Sequence, residues 1–220
     1  MQEIAIDLEY DYMTPFMAQT CDTELNVEVF YPYEEERYRR LKEICEHPSI
    51  EKIFHQATAD ITRLAWIGIT VVPPYNCTMV QSSLVNENYS PKGLKKIAKI
   101  YLNEDISDSE RLNKHIQKLK AQCKKDKIRF KWSMCDKTLM LRYAKKDPLF
   151  TIKMHYFFKK PMKQFQDLYK FEMRLVPIVV KMQLTGMRVD RDFCEEKSVE
   201  YGNEWSTTYI KICELLEKNN

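Results

Sequence analysis

Apolar and polar residues alternate near the start of the chain. Ile4, Ile6 and Leu8 fall on one side, and Ala5, Asp7 and Glu9 on the other, which is the period of a strand. A strand this rich in Ile and Leu is expected inside a sheet. Phe16 to Cys21 and Asn26 to Tyr33 read as two more strands joined by the polar Asp22-Thr23-Glu24 turn, predicting an antiparallel meander. The period then becomes helical. Glu34 to Glu46 aligns Tyr38, Leu41 and Cys45 on one face before Pro48. Lys52 to His55 predicts a fourth strand, Thr58 to Trp66 a second helix stopped by Gly68, and Thr70 to Val72 a fifth strand. This alternation predicts a layered α/β domain.

Ser90 as N-cap and Pro91 in the first turn predict a helix reaching Leu102, with Leu94, Ile97, Ala98 and Tyr101 as its apolar stripe. Ser107 to Lys125 predicts a longer helix with a narrow stripe of Leu112, Ile116, Leu119 and Cys123. Thr138 to Phe158 reads as a mixed segment, in which Pro148 predicts a kink. Phe165 to Thr185, closed by Gly186, and Asp192 to Glu217 predict a helical appendage outside the sheet.

Composition adds limits. The chain has 220 residues, 44% hydrophobic and 30% charged, as in a globular protein of one full domain plus a smaller part. No run of eighteen apolar residues occurs, so no membrane span is expected. The first strand begins too close to Met1 to leave room for a leader peptide. Seven dispersed cysteines without a Cys-x-x-Cys pair argue against zinc and for reduced thiols. Together these predict a cytoplasmic location.

Charge is unevenly spread. The formal net charge is +3, but residues 1–91 sum to −9, residues 92–163 to +14 and residues 164–220 to −2. The basic middle third suits a polyanionic partner, although solvated Lys-rich helix faces give the same count.

The candidate chemistry lies in acids. Asp7 and Glu9 share a face of the first strand. Two neighbouring carboxylates in a buried place repel, and a divalent cation with oxygen ligands compensates them; a solvated edge strand is the alternative. Asp60 stands at a strand-to-helix junction after His55-Gln56, and Tyr143 and Asp147 sit four residues apart, one helical turn.

The order Asp7-x-Glu9, then Asp60, then Tyr143-x-x-x-Asp147 resembles the three exonuclease motifs of the DEDDy group of DnaQ-like, RNase H-like exonucleases. Phe171 to Ile178 and Met182 to Asp190 resemble the segment leading from exonuclease to polymerase in family A DNA polymerases of the DNA polymerase I type. Gln56 stands where the family usually has Asn, Tyr10 where Thr or Ser is common, and Pro148 interrupts what is usually continuous helix.

The resemblance implies an α/β fold, an RNase H-like mixed five-stranded sheet flanked by helices, with a C-terminal helical appendage. Residues 1–163 would form a 3′–5′ exonuclease domain and residues 164–220 the start of the polymerase region. Asp7, Glu9, Asp60 and Asp147 would hold two Mg²⁺ ions, for which Mn²⁺ substitutes, and Tyr143 would orient the attacking water. Leu8, Tyr10 and Gln56 would meet the substrate, the single-stranded 3′ end of DNA. The implied role is proofreading beside a polymerase domain, either removed from this chain or acting in trans. An RNase D-like exoribonuclease and a non-catalytic nucleic-acid-binding domain are the alternatives.

Overall fold

The computed structural model describes residues 2–88 and 92–218. Five strands form one mixed sheet: β1 (Gln2–Asp11), β2 (Thr14–Cys21), β3 (Val27–Phe30), β4 (Ile50–Phe54) and β5 (Tyr75–Cys77), in the order β3-β2-β1-β4-β5. β1 pairs antiparallel with β2 and parallel with β4. The acid-bearing strand is therefore central, and the edge-strand alternative does not apply. The first three strands form the expected antiparallel meander, and the fold is the expected α/β class.

The alternation in β1 sorts the two faces. Ile4, Ile6 and Leu8 pack with α1 (Glu35–Glu46) and α2 (Ala57–Trp66) through Leu41, Ile44, Ile61 and Leu64. Ala5, on the other face, packs with Cys21, Ile53 and Ile152. Ile152 belongs to α6 (Lys137–Lys159), so this long helix lies on the face that also presents Asp7 and Glu9.

The fifth strand is not at Thr70 to Val72. There the amide of Thr70 donates to Glu46 Oε1 (3.1 Å) and that of Val72 to Cys45 O (3.0 Å), so the backbone is tied to the end of α1 instead of a strand. Pairing resumes after Pro73 and Pro74, which have no N–H to give. A further helix, α3 (Thr78–Val85), follows β5 directly and has no clear amphipathic period in the sequence. The next, α4, spans Leu94–Leu102 and so starts later than the sequence suggests. The predicted capping pair, Ser90 and Pro91, lies outside the described residues. Helix α5 spans Ser107–Lys125, as expected.

The segment around Pro148 is one unbroken helix of 23 residues, not a mixed one. An interior proline costs about 3 kcal/mol. Phe150, Ile152, Met154 and Phe158 are fully buried on the C-terminal side of it and Met140 and Ala144 on the N-terminal side. Each large apolar side chain so buried contributes about 1.5–3 kcal/mol, so packing on both sides holds the helix through the proline.

By compactness the chain divides into Met1–Leu184 and Thr185–Asn220. The first unit includes α7 (Gln166–Thr185, except its last residue). Val176 and Val180 of α7 enter the core around β1, the Tyr169 hydroxyl donates to Asn76 Oδ1 (2.7 Å), and Thr62 Oγ1 donates to Gln183 Oε1 (2.6 Å). The second unit holds α8 (Arg191–Lys218), on which the Trp205 and Tyr209 rings stack 5.3 Å apart. Among the described residues no helix is long and apolar enough to cross a membrane. All seven cysteines are free thiols.

Candidate active site

A cleft of about 300 Å³ opens over the C-terminal half of β1, lined by Asp7, Glu9, Asp60, Tyr143 and Asp147 among others. Asp7, Glu9 and Asp147 each bring a carboxylate oxygen within 4.8 Å of the other two. Asp60, in the first turn of α2, lines the same cleft without joining that trio. Glu9, Asp60 and Asp147 are 9%, 6% and 4% exposed, and Asp7 is partly exposed. The β1–β2 register shifts between Glu9 and Tyr10. Such bulges bend a strand and re-aim its side chains beside functional sites.

Burial sets the electrostatics. It pushes the Asp7 carboxyl well above the usual range, and the charges of Asp147, Glu9 and Asp60 push it further. Glu9 is raised to about 8 by burial and then by Asp147, and Asp60 to about 8 by burial, with Arg63 opposing. Asp147 is raised by burial and held back by Lys95. Burial also raises the Tyr143 hydroxyl far above its ordinary value, so Tyr143 acts as a neutral hydrogen-bonding group.

Lys95, on α4, carries the compensating charge. Its ammonium pairs with Asp147 Oδ2 and lies 3.7 Å from the centre of the Tyr143 ring. The approach of α4 is fixed by His55 at the end of β4. His55 Nε2 is 2.8 Å from Lys92 O, and Nδ1 is 2.9 Å from Thr78 Oγ1. A carbonyl only accepts, so Nε2 carries the proton and Nδ1 accepts from the threonine. That neutral ring agrees with burial lowering His55 to about 4.

Of the predicted substrate residues, Leu8 lies in the apolar core and also lines the cleft. Tyr10 is half-buried there, with the Arg63 guanidinium 3.5 Å from its ring centre. Gln56 is exposed at the cleft. The sequence reading missed four neighbours. Lys95 carried no motif. Gln19, directly opposite Asp7 across the β1–β2 pair, donates to Asp7 O (3.1 Å) and Oδ2 (3.2 Å) once its amide is oriented to satisfy both its atoms. Asp11 continues the Asp7, Glu9 alternation, a signal present in the sequence. It accepts from the amides of Trp132 (2.5 Å) and Ser133 (3.3 Å), which places Trp132 at the cleft.

The donor set fits divalent cations. It is all carboxylate, the preference of Mg²⁺ and Mn²⁺. Asp147 Oδ1 is buried with no hydrogen-bond partner, and an ion beside it would satisfy that oxygen.

The chain belongs to the 3′-5′ exonuclease family of DNA polymerase A type, whose family model matches residues 1–163. A curated relative, DNA polymerase DpoZ of Salmonella phage PMBT28, is 24% identical over 161 residues, 69% of this chain. The chain spans about a quarter (24%) of that polymerase's length. Among solved structures, Brucella melitensis NrnC with bound Mg²⁺ superposes with a TM-score of 0.66 at 19% identity, covering 84% of this chain and 86% of that one. Escherichia coli RNase D, an exoribonuclease involved in structured RNA processing, gives 0.59 at 18% identity, covering 82% of this chain and 45% of that one. The RNase H-like fold is thus shared, as the sequence motifs implied.

Proposed function

We propose that this chain removes nucleotides from single-stranded 3′ ends of DNA, as the proofreading part of a family A-type DNA polymerase. The observation that carries the reading is the meeting of Asp7, Glu9 and Asp147 within 4.8 Å, beside Tyr143 and Asp60, in one cleft. Two Mg²⁺ ions, or Mn²⁺ in their place, held by Asp7, Glu9 and Asp147 with Asp60 completing the second position, would supply an activated water and neutralise the phosphoryl charge. The protein's own part is placement. Tyr143, neutral and one turn before Asp147, orients the attacking water. Leu8, Tyr10 and Gln56 border the terminal nucleotide. Water adds to phosphorus, the bond to the preceding 3′ oxygen breaks, and a nucleoside 5′-monophosphate leaves.

Residues 164–220 resemble the entry to a polymerase region, which supports a polymerase partner in cis or in trans. The curated polymerase relative supports DNA as the substrate. An RNase D-like activity on RNA is the second reading, favoured by the structural likeness to RNase D. Timed digestion of 3′-labelled single strands of DNA and matched RNA, with Mg²⁺ or with EDTA, tests both. Metal-dependent shortening of DNA in preference to RNA is expected. Equal or greater loss of RNA overturns the DNA assignment.

A further inference from the structure

Next to the acid cleft is a second cavity of about 230 Å³ that the exonuclease chemistry does not use. Four aromatics, Phe16, Tyr31, Tyr33 and Trp132, line it together with Met17, Met140 and the exposed Lys137. Trp132 lines both this cavity and the acid cleft, so the two adjoin at its ring. Its position is built, because Asp11, at the end of the strand that carries Asp7 and Glu9, accepts from the Trp132 and Ser133 amides and from the Ser133 hydroxyl. The Tyr31 and Tyr33 rings lie 5.5 Å apart, and Tyr33 is 74% exposed. A cation stands on one of its rings, the Arg37 guanidinium 5.7 Å from the Tyr31 centre. Just outside the cavity, the Lys120 ammonium is 5.1 Å from the Phe130 ring, which stands edge-on 5.9 Å from Trp132. Partly open aromatics, with Tyr33 largely exposed, beside basic side chains form the pattern that holds single strands by stacking and backbone charge.

We propose that the Phe16–Tyr31–Tyr33–Trp132 cavity is a base-stacking subsite for an unpaired nucleobase on the 5′ side of the scissile phosphate. The inference rests on the exonuclease reading of the neighbouring cleft. Only the terminal nucleotide lies 3′ of a bond cut from that end, so a base entering an adjoining cavity belongs to the retained strand. Trp132 then separates the departing base from the retained one, and the cavity lends grip without reading sequence, since every base offers a π face.

Binding of a fluorescein-labelled oligodeoxythymidylate in EDTA tests this without any cleavage. The wild-type protein is expected to bind the intact strand about tenfold more tightly than a strand abasic at the second and third positions from the 3′ end. Tyr33→Ala, at an exposed site that leaves the core intact, is expected to erase most of that preference while binding the abasic strand as the wild type does. Trp132→Ala, checked for an unchanged melting temperature, is expected to do the same. A Tyr33→Ala protein that keeps the full preference overturns the subsite, as does a wild type with none; a cavity that instead receives a peptide segment gives that second result. Discrimination without nuclease activity keeps the subsite and removes the exonuclease reading, and nuclease activity without discrimination does the reverse.

Discussion

The Lys95 ammonium on α4 and the Asp147 carboxylate on α6 form a mostly buried ion pair inside a group of four acids. Its partners are 52 residues apart in sequence. In the metal-free protein this lysine is the cation that offsets Asp147, and it leaves one oxygen of that carboxylate without a partner.

Lys95→Met is therefore expected to destabilise the metal-free protein by roughly 3–5 kcal/mol at a pH above 8, because removing one member strands a buried charge. The loss is expected to shrink in Mg²⁺. Thermal melts in EDTA and in Mg²⁺ measure this, and equal losses in both would show that Lys95 is not a counter-ion of the metal site.

Asp7→Asn and Glu9→Gln are expected to abolish hydrolysis by more than the roughly 10–100-fold that outer-shell changes cost at metal sites. The metal-free fold is expected to keep or gain stability, since a buried repulsion is relieved. Either variant digesting DNA at the wild-type rate would remove that residue from the site.

Tyr143→Phe keeps the ring under Lys95 and deletes only the hydroxyl. A fall in kcat of about a hundredfold is expected, with KM and metal binding nearly unchanged, as for the loss of a positioning group. Steady-state kinetics on a 3′-labelled strand provide the check; a change in KM alone would return Tyr143 to packing.

The raised carboxyls predict the pH dependence of stability. Glu9 and Asp60 titrate near 8 in the folded chain, against about 4 when unfolded. The folded state thus holds protons more tightly. That contribution is complete below about pH 4 and is lost as pH rises through about 8. The melting temperature in EDTA is expected to fall from about pH 6 to about pH 9, and Mg²⁺ to raise it most at the alkaline end. Melts across that range check the sign, and a rise with pH in EDTA would contradict the burial of these acids.

Exposed Lys114, Lys118, Lys124 and Lys125 of α5 give the basic third a solvent-facing charge. Affinity for single-stranded DNA is expected to fall with salt at a log–log slope of about −0.7 per phosphate neutralised. A flat response in a salt titration would place the grip elsewhere.

The sequence by itself determined what depends on local period and local chemistry. Alternation in β1 set Asp7 and Glu9 on one face, opposite Ile4, Ile6 and Leu8, and helical spacing set Tyr143 one turn before Asp147. The order of the acids was enough to point to the family. Where backbone groups find their partners was not local. Thr70 to Val72 has the composition of a strand, yet its amides bond to the end of α1, and the strand forms after the prolines. Proline at 148 argued for a kink, and the side chains buried on both sides of it keep α6 continuous. Only the tertiary structure brought Lys95 to Asp147 and Trp132 to the mouth of the cleft. Both are contacts between elements far apart in the chain, fixed by His55 and Asp11 through hydrogen bonds that leave no period in the sequence.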